Sequence, residues 1–237
     1  DVRLRWPEAI EADLTARGLA MLAGSEPLEQ AQARFRIVPE GAAGGWRMEN
    51  LRVTTGEAEL VGSGPLAPEL ALDMEVAEAP VEDAVRAVRA LAPVPVEVRG
   101  PGAASATVKV RAPAGGEVDI RVEGRADAGE LRLGGPLPAA RDVAARFGIS
   151  GTDRLTIDIE RGTVGGGPLS GRVRVEPLAP PGRLSFEGKV RGATFGQLLA
   201  GFAGERVERV DGQTDLTADV GLDLSRETID PTALTGT

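Results

Sequence analysis

The sequence predicts a mainly β protein: an elongated, twisted antiparallel sheet carrying about three short amphipathic helices. Apolar and polar side chains alternate through many short runs, the period of a strand with one wet face. Thirty-two Gly and seventeen Pro separate these runs instead of gathering in one linker, as tight turns between successive strands require. Of 237 residues only 3% are aromatic, and the apolar 42% is mostly Ala, Val and Leu. Such side chains suit thin layers better than one deep aromatic core. The length suits one large domain or two small ones, and a compact chain of this size buries roughly 70–75% of its unfolded surface.

The elements follow in order. Ala31, Ala33, Phe35 and Ile37 form an early alternating run. Leu70, Leu72 and Met74 then alternate with Ala71, Asp73 and Glu75. Pro80 to Leu91 breaks the period: Val81, Val85 and Val88 stand at helical spacing, Glu82 and Asp83 favour the positive end, and Pro93 is a stop. Strands resume with Val108 and Val110, then with Val118, Ile120 and Val122 against Asp119, Arg121 and Glu123. Pro138 to Phe147 predicts a second helix, with Val143, Ala144 and Phe147 on one face and Gly148 as terminator. Leu155, Ile157 and Ile159 alternate with Thr156, Asp158 and Glu160; Val173 with Val175, and Leu184 with Phe186, extend the pattern. Thr194 to Ala203 predicts a third helix, with Thr194 and Gln197 in capping-box spacing and Phe195, Leu198, Leu199 and Phe202 as its stripe. The clearest strand is Asp211 to Leu224, with Leu216, Ala218, Val220, Leu222 and Leu224 on one face.

A weak internal repeat links two of the helices. Val76 to Val81 precedes one as Val190 to Phe195 precedes the other, and Val85 and Val88 correspond to Leu199 and Phe202. After each helix comes a short strand, a Gly (Gly100, Gly212) and a longer strand. Ile120 to Gly124 matches Leu184 to Gly188 as a partial third copy. Stacked units of this kind build elongated sheets. The expected division is an N-terminal β segment over 1–79, a helix-plus-β unit over 80–134, and helix-plus-β units over 135–237 continuous with the preceding sheet.

The absences remove classes of chemistry. With no Cys there is no disulfide, thiolate nucleophile, zinc ribbon or iron–sulfur ligation. With no His, Ser–His–Asp catalysis is impossible, and the usual general base and near-neutral switch are missing. A net charge of -9 argues against nucleic acid, which needs a basic stripe. No stretch approaches the ~20 apolar residues of a membrane span. The chain starts at Asp1 without a signal peptide, and its end at Thr235-Gly236-Thr237 follows apolar Ala233 and Leu234 without a stop signal. It therefore reads as a segment of a longer protein.

Several tempting sites reduce to structure. Asp215, Asp219 and Asp223 share the wet face of one strand, but four-residue spacing separates neighbours by roughly 13 Å, too far for one ion. Gly165-Gly166-Gly167-Pro168 and Gly134-Gly135-Pro136 lack the ending of a P-loop and read as turns; Gly115-Gly116 reads as a hairpin loop. Asp153, Asp158 and Glu160 suggest paired carboxylates, yet Asp158 and Glu160 fall on the wet face. Trp6 and Trp46 read as sheet-packing anchors, and Arg121, Arg172, Arg174 and Arg191 as parts of a mixed-charge solvated face. The expectation is no enzyme, no metal and no cofactor.

One passage carries a resemblance. Gly188-Lys189-Val190-Arg191-Gly192-Ala193-Thr194-Phe195-Gly196-Gln197-Leu198-Leu199 is followed by Val210 to Leu216, by Asp219 to Leu224, and by Leu234-Thr235-Gly236. Upstream, Gly44-Gly45-Trp46 to Leu51 precedes Ala58 to Gly64. This order of strand, Gly, strand and short helix, with strands ending in Leu-x-Gly, resembles the AsmA-like superfamily with its TamB and YhdP branches. The likeness runs loosely from about Ile10 to the end. It implies an envelope protein of a diderm bacterium, anchored in the inner membrane outside this stretch. The periplasmic part would be a long curved sheet that conducts phospholipid between membranes or supports outer-membrane assembly.

A sheet with one apolar face must cover it with helices, another sheet or a ligand. If the sheet is flat and long, three short helices cannot cover all of about a dozen strands. A curved sheet would leave a trough for acyl chains, each buried CH₂ contributing roughly 0.8 kcal/mol; a closed sandwich would leave a dry interior. The residues expected on the apolar face, and so against phospholipid or another acyl-chain ligand, are Leu155, Ile157, Ile159, Val173, Val175, Phe186, Leu216, Val220 and Leu222. The alternative is a non-enzymatic scaffold whose exposed strand edges pair with a partner, such as an unfolded outer-membrane protein.

Overall fold

The computed structural model describes residues 2–5, 9–16, 31–40, 44–91, 96–133, 138–151, 153–178, 182–194, 196, 212–223 and 235–236; at 2–5, 16, 88–91, 133, 218, 220, 222–223 and 235–236 it describes the backbone. Its strands are β1 (Val2–Arg5), β2 (Ala9–Ala16), β3 (Ala31–Glu40), β4 (Gly45–Thr55), β5 (Ala58–Ala67), β6 (Leu70–Pro80), β7 (Val96–Arg99) and β8 (Ala103–Ala112). They continue as β9 (Asp119–Leu133), β10 (Ala140–Ser150), β11 (Arg154–Val164), β12 (Gly167–Glu176), β13 (Arg183–Thr194), β14 (Gln213–Asp223) and β15 (Thr235–Gly236). One helix, α1 (Val81–Leu91), stands between β6 and β7.

All 15 strands belong to one antiparallel sheet. Each strand lies beside its neighbour in sequence from β1 to β15, except that β6 pairs with β8 while β7 pairs with β9. The sheet is open, with β1 and β15 at the ends of its strand order. It crosses both expected segment boundaries: β6 pairs with β8 and β9 with β10.

The detour of β7 follows from the length of β9. Its 15 residues take β8 alongside Asp119 to Ala126 and β7 alongside Glu130 to Leu133. Gly100, Pro101 and Gly102 interrupt what would otherwise be one partner strand, and the Gly129 N–H donates to the Pro101 carbonyl across the break at 3.0 Å. This is the expected order of helix, short strand, Gly and longer strand. Between β11 and β12, Gly165 and Gly166 at φ of 56° and 76° form the two-residue turn whose positive φ values match strand twist. Gly115-Gly116 lies in the loop joining β8 to β9, as expected.

Helix α1 starts one residue later than the sequence suggested, because Pro80 still belongs to β6. Glu82 and Asp83 occupy its first turn, where their charge favours the helix. Val81 is buried, and Ala84 and Val85 pack against the core. The second expected helix, Pro138 to Phe147, is instead mostly strand β10. Val143, Ala145, Phe147 and Ile149 alternate with Ala144, Arg146 and Gly148, and β9 and β11 bond the segment from both sides. Ala and Val fit either period, and two neighbouring ladders decided between them. A bulge at Asp142, φ 51°, hid the two-residue rhythm. The body of the third expected helix, Thr194 to Ala203, lies outside the described residues, with Phe195, Leu198, Leu199 and Phe202; Thr194 itself ends β13. Trp6 and Gly134-Gly135-Pro136 also lie outside them.

Register shifts recur between Val76 and Ala79, Arg141 and Ala144, Ile159 and Gly162, and Val190 and Ala193. The registers place all four toward the end of the sheet that carries α1. Bulges add local twist and bend, so the sheet is not flat there; further shifts, between Arg34 and Arg36, Trp46 and Arg47, and Met48 and Leu51, lie away from α1. The continuous core cluster runs from α1 and β7 to β13.

Candidate functional site

Register turns the alternating runs into two faces. One apolar row runs Leu14, Ala33, Val53, Leu60, Val76, Ala106, Gly124, Phe147, Ile157, Val173, Phe186 and Val220, crossing twelve paired strands from β2 to β14. The next row on the same face contains Met74, Val108, Val122, Ile149, Leu155, Val175, Leu184 and Leu222. The apolar positions of separate strands thus become one continuous surface.

The structure brings most of the expected face residues together. Leu155, Val175 and Leu222 share one row; Ile157, Val173, Phe186 and Val220 share the other. Ile159 stands in the following row, opposite Ala145 and Gly171. Leu216 pairs with Val190 and is 37% exposed. Val173, Val175, Leu155, Ile159 and Phe186 are buried, while Ile157 is half-buried. The side chains of Val220 and Leu222 lie outside the description.

Burial divides this face. In β11 to β13 its side chains pack on one another, with Val173 and Leu184 fully buried. In β3 to β8 most of its larger side chains, among them Phe35, Val53, Leu60, Met74, Val76 and Val108, are half-buried while Leu51 is buried, and Leu14 on β2 is exposed. The half-buried part of the face therefore extends N-terminal to the nine residues expected against lipid, of which Leu216 is exposed.

Between α1 and the sheet lies an apolar cleft of about 90 Å³. Its roof is Val81, Ala84 and Val85, and Val96 and Val98 of β7 close one side. Its floor includes Ala104, Ala126 and Ala145, which stand in register on β8, β9 and β10. Three small side chains in line leave the helix above them incompletely packed. Phe147, Leu155 and Ile157 form a wall. Of this lining, only Leu155 and Ile157 were among the residues expected against lipid; Val81, Val85, Val143 and Phe147 were read as helix faces. Ala145 lay in the segment read as helix, and nothing local indicates that the three alanines share a row.

Every cleft-lining side chain is apolar, and a cavity of this kind takes up hydrocarbon more readily than water. Among the described residues there is no buried polar or charged side chain and no metal-binding cluster. Of Asp215, Asp219 and Asp223, the Asp215 carboxylate accepts the Gly192 N–H at 2.8 Å, and the Asp223 side chain lies outside the described residues.

The opposite face is charged and exposed. Arg34 pairs with Asp13 at 2.8 Å, Arg52 with Glu59 at 2.6 Å and Arg111 with Asp73 at 2.6 Å. Arg154 holds both oxygens of Glu176, at 2.9 and 2.7 Å. Arg172 pairs with Asp158, and Arg146 with Glu160. The hydrogen bond from Arg34 holds the Asp13 carboxyl below its ordinary value; Arg132 lowers Glu130, and Arg154 lowers Glu176, in the same way. The hydrogen bond to Asp158 raises Arg172. These groups hold their charges more firmly than free ones do, the reverse of what a proton-transfer site at neutral pH needs. Comparison with protein-family profiles, curated proteins and solved structures returns no match, and the likeness to AsmA-like proteins rests on sequence cadence alone.

Proposed function

We propose that the chain is the acyl-chain-carrying part of an AsmA-like envelope protein, guiding phospholipid along its apolar face between inner and outer membranes. The observation that carries this reading is the continuous apolar row across twelve strands of an open sheet, with its larger side chains half-buried over β3 to β8. Such a face is stabilised by a cover, and hydrocarbon supplies one without chemical specificity. The mechanism is passive. Acyl chains lie on alternating Val, Leu, Ile and Phe side chains, headgroups stay at the rim, and no bond is made or broken. The location is the periplasm, with the membrane anchor outside this segment.

Mass spectrometry of an organic extract of the purified protein tests the reading, with an unrelated β protein prepared in parallel. Stoichiometric phospholipid, reduced in folded Val76→Asp and Ile157→Asp variants, is the expected result. A lipid-free extract from the stable protein would reject it.

A second reading is a scaffold in which an unfolded outer-membrane protein adds a strand to an exposed sheet edge. Partner capture that depends on one edge strand, in protein free of lipid, would favour this scaffold.

A further inference from the structure

The cleft beneath α1 has a fastening. The Asp83 carboxylate, on the first turn of the helix, accepts the backbone N–H of Glu57 at 2.6 Å. The same carboxylate accepts Arg86 at 2.6 Å, and its side chain is only 13% exposed. Glu57 lies in the turn joining β4 to β5, so this contact ties the helix to a hairpin outside the cleft floor, separated from floor strand β8 by β6. Gly56, beside it, has φ 58°, and a Cβ there would collide with the Asp83 carboxylate. The turn therefore needs glycine for its backbone and for the approach of the acid. A second tie, from the Val81 N–H to the Gly102 carbonyl at 3.1 Å, holds the start of the helix at the break between β7 and β8.

We propose that α1 is a hinged cover over the apolar cleft and that Asp83 is its latch, holding the helix down through the Gly56–Glu57 turn. The helix turns about Val81, where it leaves β6 without a linker and is pinned to Gly102. Val81 stays in the core cluster at the pivot, and Ala84 and Val85 pack beside a cleft floored by alanines, so lifting the helix parts fewer contacts than separating two strands, which would break a complete ladder. Release of Asp83 from the Glu57 N–H frees the helix from the hairpin and widens the cleft to hydrocarbon. The inference adds control of access to the lipid-carrying reading and rests on that reading for its purpose. Asp83 is a positioning residue: it need not touch the ligand.

Hydrogen exchange on the whole chain tests the latch without any ligand. In the unaltered protein, amides of 85–91 should exchange through an opening that leaves β9 and β10 protected. Asp83→Ala should speed that exchange roughly tenfold or more, the size expected for loss of a hydrogen bond to a charged group. Asp83→Asn, which keeps an acceptor for Glu57, should give a smaller increase. Uptake of the apolar dye N-phenyl-1-naphthylamine should accelerate in the same order and fall in Ala126→Leu, which fills the floor. Exchange of 85–91 only together with β9 and β10 in the unaltered protein would overturn the latch, whatever the variants do. So would unchanged exchange in folded Asp83→Ala. Latch-dependent exchange without dye or lipid uptake would leave the latch standing and count against the lipid-carrying reading alone.

Discussion

Glycine and aromatic positions make a local trade inside the strands. Gly124 faces Phe147 in register, and a Cβ on Gly124 would meet the Phe147 ring and the Ser105 carbonyl. The ring covers backbone that a strand glycine otherwise leaves bare. Gly124→Ala should therefore destabilise the fold by about 1–3 kcal/mol, the usual cost of overpacking, read as a lower urea midpoint. Leu184 is the converse case, fully buried with no slack. Leu184→Ala should cost about 2–5 kcal/mol through lost burial and the cavity left behind. Asp142 tests backbone instead of packing. Its φ of 51° is tolerable for Asp and hostile to a β-branched residue. Asp142→Val should cost about 1–2 kcal/mol, and Asp142→Gly should not. None of these contacts can be read from the sequence, where Gly124 and Phe147 are distant and the bulge at Asp142 is disguised as helix.

At the scale of elements, β10 shows the limit of periodicity and the charged face shows its strength. The mixed-charge solvated face was legible from alternation alone, and Arg172 and Arg121 do pair on it, with Asp158 and Asp119. Register selects Asp158 for Arg172 across β11 and β12, whereas Asp119 lies two residues from Arg121 on the same strand. The lowered carboxyls of Asp13, Glu130 and Glu176 set the sign of the pH response. A carboxyl lowered on folding stabilises the native state above its unfolded value, and the contribution is lost as pH falls through the folded value. Melting temperature should therefore hold from neutral pH down to the ordinary carboxylate range and decline below it. The decline should shrink at high salt because these pairs are exposed. A melting temperature that rises on acidification would contradict the ladder.

For the whole molecule, a sheet in which almost every strand touches only its sequence neighbours is nearly one-dimensional. Stability in such an array is set locally and need not be uniform. Burial is greatest in β11 to β13 and lower across β3 to β8. Both Trp residues, Trp6 and Trp46, lie in the N-terminal part of the chain. Tryptophan fluorescence should therefore report unfolding at a lower denaturant concentration than far-ultraviolet circular dichroism, which averages all strands. Coincident transitions would mean that the sheet melts as one unit. Bound hydrocarbon should raise the fluorescence midpoint most, because it covers the half-buried part of the face.

The sequence by itself determined the class of fold, the alternation that gives each strand one apolar and one charged face, the existence of α1, and the exclusion of cysteine and histidine chemistry. These properties are local: a two-residue period, a proline before a helix and an absent side chain are all visible within a few positions. Tertiary structure alone decided that Ala104, Ala126 and Ala145 stand in one row, that β10 is strand, and that Asp83 meets the turn at Glu57. Each depends on register between segments far apart in the chain. A shift of one residue turns every side chain to the other face, so the cleft and its latch belong to the pairing of strands rather than to any strand alone.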